Sequence, residues 1–337
     1  MPKTSIQTTT VGSYPVPLWL RTFGTKEHLR DAIMVVIKTQ ELAGIDLVVD
    51  GELYRWDVNH PETNGMIDYF IRPMTGVQTS FSRKTLEAFR RNSGMAYRAE
   101  PAGIVTEALG AGTLNLLKDY EFVRPLTAKP LKFTITSPYM LARVLVNQYY
   151  KNFQEVVMAL AEILAEQVEG IEAEVIQIDE ANLTGNPEDA DLAAAAINRI
   201  FKNVKTQKAV HLCFGNYGGQ RVQKGTYERL VHFINSLDCD HMVLEMARRP
   251  ESDKQMLSQL KPEMGIGLGV IDIKDNQVES PEEIARRIEA VAKMIGAERI
   301  QYVHPDCGLW MLPRSVADAK LRNLVKGRDL FAGQMKK

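Results

Sequence analysis

The run Lys208-Ala209-Val210-His211-Leu212-Cys213-Phe214 decides how the rest of the chain is read. It is short and apolar on both faces, which predicts a buried strand of a parallel sheet. Positions two apart on a strand project to one face, so its C-terminal end offers the imidazole of His211 and the thiol of Cys213 together.

Similar runs recur in both directions from this one. Candidate strands lie at 7–14, 46–50, 132–136, 174–179, 241–245, 265–272 and 299–304, which with 208–214 makes eight. Helical spacing fills the gaps at 27–43, 147–169, 188–203, 224–236, 252–260 and 281–295, and a last helix follows at 314–325. Eight such βα units predict an α/β fold, a (β/α)8 TIM barrel, with residues 1–337 as one domain. Residues 57–106, rich in Arg, Ser, Thr and Gly, break the rhythm and read as an excursion between strands 2 and 3, a helix plus a hairpin.

A length of 337 residues suits a barrel of this kind. The near balance of 41 basic and 42 acidic residues gives no field for nucleic acid or an anionic membrane, and points to a small molecule or another protein as partner. No apolar run approaches the roughly 20 residues of a membrane span. The first seven residues lack the apolar centre of a signal peptide, so the cytoplasm is the expected compartment. Cys213, Cys239 and Cys307 are an odd, sparse set, which predicts reduced thiols rather than a disulfide framework.

Polar side chains gather where the candidate strands end: Ser13, Glu52, Ser137, Asp179, Glu180, His211, Cys213, Glu245, Asp272, Lys274, His304 and Cys307. Any strand end becomes polar as it meets solvent, but barrel active sites occupy this face, and so broad a cluster reads as functional. His211, Cys213, Glu245 and Cys307 are a borderline-soft N/O/S set of the kind zinc takes, supplied by the ends of the fifth, sixth and eighth strands. Their spacing is not that of a zinc finger, so the expected metal is catalytic or substrate-binding. Cys239 reads as a small core residue, and His28, His60, His232 and His241 as satisfied core or surface residues. Arg83, Lys84, Arg90 and Arg91 read as a solvated helix face. Trp19, Trp56 and Trp310 lie just past strand ends, where a ring either stacks on a flat ligand or packs in the core or at the rim.

With these residues assembled, the chain resembles the catalytic barrel of cobalamin-independent methionine synthase. The matching stretches are Thr8 to Pro15, Val49 to Glu52, Gln177 to Glu180, His211 to Cys213, Val243 to Glu245, Gly269 to Asp272 and His304 to Gly308, in family order over nearly the whole chain. The resemblance implies a zinc-dependent transfer of a methyl group to homocysteine, forming methionine. It implies zinc ligands at His211, Cys213, Glu245 and Cys307, and homocysteine-binding residues at Ser13, Glu52 and Asp179, the two carboxylates holding the ammonium group. It also implies donor-side catalytic roles at Asp272 and at the position two residues on. Folate-using members carry a His there, proposed to protonate the departing nitrogen. This chain has Lys274, a poorer acid at neutral pH, which reads equally as an exposed lysine opening a polar loop. The family's tandem N-terminal barrel has no room in 337 residues. The expected methyl donor is therefore a methylated corrinoid, often on a partner protein, or methyltetrahydrofolate. The alternatives are another zinc-thiolate alkyltransferase, resembling epoxyalkane:coenzyme M transferase, and a scaffold with a structural zinc. A sulfonate acceptor would want Arg or Lys where Glu52 and Asp179 stand.

Overall fold

A computed structural model describes residues 6–22, 24–57, 63–91, 98, 100–217, 220–221 and 225–334. Seven parallel strands form the central sheet: β1 (Gln7–Thr8), β2 (Lys132–Thr136), β3 (Val175–Glu180), β4 (Gln207–Leu212), β5 (His241–Leu244), β6 (Gly265–Ile271) and β7 (Ile300–Pro305). Their order is β1-β7-β6-β5-β4-β3-β2. The two ends meet on residues 47–48, where Leu47 bridges Thr9 and Val48 bridges Leu131, both in parallel sense. The sheet is thereby closed into a TIM barrel with eight strand positions.

The strands are buried on both faces, as expected where helices cover the outside of a parallel barrel, with Lys132, Thr134 and Gln177 as polar side chains among apolar neighbours. Helix caps explain why the helices start where they do. Thr25 caps Lys26–Ala43 by accepting from the His28 amide, and Ser280 caps Pro281–Ile295 by accepting from the Glu283 amide, with Pro281 in the first turn.

The second strand position departs most from the sequence expectation. In place of a five-residue ladder at 46–50 there is one bridge to each neighbour. A side chain makes up part of the difference. On the helix Lys26–Ala43, the buried Gln40 accepts from the Val49 amide at 3.0 Å and donates to the Val49 carbonyl at 2.7 Å, as a paired strand would.

The excursion holds the short helix Asp68–Ile71, the exposed helix Arg83–Arg91 and an antiparallel pair, Thr75–Gln78 with Gly103–Gly110. That bears out helix plus hairpin but not its end at residue 106. A third strand, Leu145–Asn147, joins Gly103–Gly110, so the helix expected from 147 begins only at Phe153. Arg83 and Arg91 lie on a helix with no buried residue and both pair with Glu87, in keeping with a solvated face. The segments 224–236 and 252–260 are partly 3-10 turns, and the last helix runs to Gln334. Among the described residues no helix is long and apolar enough to cross a membrane.

Candidate active site

The C-terminal ends of the strands bring His211, Cys213 and Cys307 together, their ligand atoms all within 4.8 Å of one another. His211 ends β4 with its Nδ1 2.9 Å from the Val243 carbonyl, which turns Nε2 inward. That Nε2 is buried with no hydrogen-bond partner, although such atoms are normally satisfied. Cys213 follows β4 and accepts from the Gly215 amide at 3.2 Å, and the Cys307 sulfur lies 4.0 Å away. The Cys213 thiol, and then His211, hold the Cys307 thiol well below its ordinary range against the opposing effect of burial. Cys213 is pushed up in turn, by Cys307 first and then by burial. Burial works against a charge on His211, but the neighbouring Cys307 outweighs it and raises the imidazole to about 9. An imidazole nitrogen left without a partner beside two thiols is a donor set that fits zinc.

Glu245, the fourth member expected from the sequence, follows β5 and is buried, but its oxygens are engaged elsewhere. Oε1 accepts from the Phe214 amide at 2.8 Å, and Oε2 faces the Lys274 ammonium at 3.4 Å. Among the described residues the metal-competent group is therefore His211, Cys213 and Cys307. Asp306 braces this corner by accepting from the amides of Met246 and Ala247 at 2.9 and 3.0 Å. Burial, with Glu245 adding to it, pushes Asp306 up to about 8.

Ser13, Glu52 and Asp179 line the same cavity as His211, Cys213 and Cys307. Its volume is about 90 Å³. Asn64, Met66 and Ile67 of the excursion form part of this wall, and Trp310 lies at its rim. Glu52 has φ 58°, the only non-glycine residue in the left-handed region among those described. Such strain is held in place by its surroundings. The Asp50 carboxylate accepts from the Glu52 amide at 2.6 Å, Thr134 donates to Glu52 Oε1 at 2.6 Å, and buried Arg55 lies 3.3 Å from the same oxygen. Two glycines make room. A Cβ on Gly12 would fall 2.2 Å from Glu52 Oε1, and one on Gly308 would fall 2.0 Å from Ser13 Oγ. Burial, and then the nearby Glu52, raise Asp179 to about 7.

Asp272 and Lys274, expected on the donor side, do not line this cavity. Asp272 pairs with Arg248 and accepts from the Lys274 amide at 2.8 Å, while the Lys274 ammonium is turned to Glu245. Glu180 is consumed structurally, binding Ser137 and the amides of Asn182 and Leu183. Cys239 packs on the core beside Met242, and His241 stands inside the barrel against Tyr302. His60 lies outside the described residues. Sequence reasoning missed Arg55, Asp306 and the buried pair Lys132 and Gln177. The signal for that pair was a Lys and a Gln inside otherwise buried strands.

Fold and site define a barrel enzyme with its reactive side chains at the C-terminal ends of the strands. Residues 6–328 match the family model described as the catalytic domain of cobalamin-independent synthase, and the chain belongs to that family. It is a methyltransferase. Among curated relatives, it is 32% identical to a methionine synthase of Thermococcus kodakarensis, over 98% of this chain and 94% of the relative. It is 31% identical to a methionine synthase of Pyrococcus furiosus, over 95% and 91% of the two chains. A solved B12-independent methionine synthase from a Shewanella species, in complex with selenomethionine, superposes with TM-score 0.80 at 24% identity, covering 98% of this chain and 99% of that one. At that identity the likeness speaks for the barrel alone.

Proposed function

We propose that this protein methylates the sulfur of homocysteine to give methionine, with zinc held by His211, Cys213, Cys307 and, on moving from Lys274, Glu245. The observation that carries the reading is one cavity lined both by the thiol and imidazole cluster and by two buried carboxylates. Bound zinc supplies the Lewis acidity that keeps an acceptor thiol ionised. Glu52 and Asp179 receive the ammonium group, which is why an amino-acid thiol suits the cavity and a sulfonate thiol does not. The thiol loses its proton, its sulfur takes the methyl carbon, and the donor leaves with the bonding pair.

The donor is a methylated corrinoid or methyltetrahydrofolate, and two features favour the corrinoid. A folate nitrogen must be protonated as it leaves, whereas position 274 holds a lysine, a poorer acid at neutral pH than a histidine, and Asp272 is paired with Arg248. A reduced corrinoid needs no such proton. Sparse, unpaired cysteines agree with a cytoplasmic setting.

The test is to assay zinc-loaded protein with homocysteine against methylcobalamin, methyl-folate monoglutamate and methyl-folate triglutamate in parallel. Methionine from methylcobalamin is the expected result, abolished by Cys307→Ser with the melting temperature nearly unchanged. No methionine from any donor would overturn the reading, and full activity in Cys307→Ser would overturn the ligand set.

A further inference from the structure

Beneath the cavity floor, inside the barrel, lies a buried lysine that the proposed chemistry does not use. Lys132, on β2, is almost completely buried, and its ammonium donates to the Thr10 carbonyl at 2.5 Å and to Gln177 Oε1 at 2.8 Å. Gln177, on β3, is fully buried, and its Nε2 donates to the Val11 carbonyl at 3.0 Å and to Asp179 Oδ1 at 2.7 Å. Every partner fixes the same orientation of the Gln177 amide. Reversed, it would set its oxygen against a carbonyl and a carboxylate and its NH2 against an ammonium.

The two carboxylates of the cavity are thus backed differently. Glu52 meets its cation, Arg55, directly at 3.3 Å. Asp179 meets only a neutral amide, with its cation one side chain further back. A buried lysine touching Asp179 would satisfy the carboxylate and compete with a ligand for it. The interposed glutamine instead holds Oδ1 in place while leaving Oδ2 and the net negative charge for a ligand.

We propose that Lys132 and Gln177 form a positioning relay that presents Asp179 to the ammonium group of the amino-acid acceptor and so sets selectivity for an amino-acid thiol over a thiol lacking the amine. The relay rests on the acceptor reading above. Its signature is a loss confined to the amine: Lys132→Met and Gln177→Glu leave the metal cluster and the thiol contact alone. In Gln177→Glu the new carboxylate pairs with Lys132 and repels Asp179.

The experiment measures binding of homocysteine and of 4-mercaptobutyrate, the same skeleton without the amine, to zinc-loaded wild type and both variants by calorimetry, with kcat and KM for homocysteine alongside. The wild type is expected to prefer homocysteine. Both variants are expected to lose that preference by about 10- to 100-fold, the worth of a hydrogen bond to a charged group, through KM more than kcat. Binding of 4-mercaptobutyrate stays within a few-fold of wild type. A wild type with no preference for homocysteine overturns the acceptor reading. A wild type that prefers it, with variants that keep the preference, overturns the relay alone. Equal loss of both ligands, or failure of both variants to fold, makes these residues structural and also overturns the relay.

Discussion

Lys274→Met separates the two partners that Glu245 can have. In the structure the Lys274 ammonium lies 3.4 Å from Glu245 Oε2, with the lysine side chain 15% and the glutamate 5% exposed. At that distance the attraction is about 5 kcal/mol for an effective dielectric near 20, before desolvation is counted. Removing the lysine leaves a buried carboxylate short of one partner, though the Phe214 amide still donates to its other oxygen. The net cost to the metal-free protein is then about 2–3 kcal/mol. With an unfolding entropy of about 2.1 cal/mol/K per residue over 337 residues, the melting temperature falls by about 3–4 °C. A cation that recruits Glu245 recovers the same energy, so zinc binds about 30- to 150-fold tighter to the variant than to wild type. Competition against a chromophoric chelator measures the affinity, and melts with and without zinc measure the stability. A lower melting temperature with unchanged or weaker zinc binding would refute the idea that Lys274 and the metal compete for Glu245. An unchanged melting temperature would refute the energetic reasoning itself.

Two further outcomes test the acceptor side. Gly12→Ala places a methyl group 2.2 Å from Glu52 Oε1 and so drives the carboxylate off its position. The KM for homocysteine should rise by about 100-fold, the scale of an ångström-sized misplacement, with zinc affinity unchanged; an unaltered KM would remove Glu52 from the acceptor site. For pH, burial and Glu52 raise Asp179 to about 7 in the folded protein, above its value in the unfolded chain. The folded state therefore holds this proton more tightly. The stabilisation from Asp179 is complete below about pH 4 and is lost as pH rises towards about 7. A ligand ammonium prefers the ionised form, so methionine affinity should rise over the same window and level off above it. Calorimetry and denaturant unfolding from about pH 5 to about pH 8 would detect both slopes, and Asp179→Asn should flatten both. Affinity independent of pH would count against Asp179 as the ammonium's partner.

The parts of the fold that were legible in the sequence carry their own boundaries. Lys132–Thr136 and Pro281–Ile295 appear as read, the first a β-rich run and the second opened by Ser280 and Pro281. The strand Leu145–Asn147 has no counterpart among the expected strands, and its last residue falls at the start of the expected helix 147–169, because three residues carry no period and their partner Gly103–Gly110 is distant in sequence. The second barrel position was read as a ladder because Leu47, Val48 and Val49 are good strand formers; nothing in those residues announces that Gln40 will bind Val49. In the site, a two-residue spacing and the strand ends sufficed to bring His211, Cys213 and Cys307 together. They did not show which way Glu245 and Asp272 would turn, because Lys274 and Arg248 reach them from loops whose course depends on tertiary packing. Lys132 and Gln177 escaped notice because polar residues within buried strands acquire meaning only when their partners across the barrel are known.

The seam of the barrel at residues 47–48 gives the molecule a grain. Six of the strand junctions are multi-residue ladders or, at β1 with β7, a two-residue one, whereas this position is fastened by two bridges, the amide of Gln40 and the Thr9 hydroxyl, which donates to the Leu47 carbonyl at 2.8 Å. A ring opens first at its weakest joint, and this joint lies only a few residues before Glu52. Amide exchange should accordingly be fastest, among the barrel strands, at residues 47–49. The same opening would loosen the strained turn that carries Glu52, so a ligand gripping that carboxylate would close the ring from the inside and slow exchange along the whole seam.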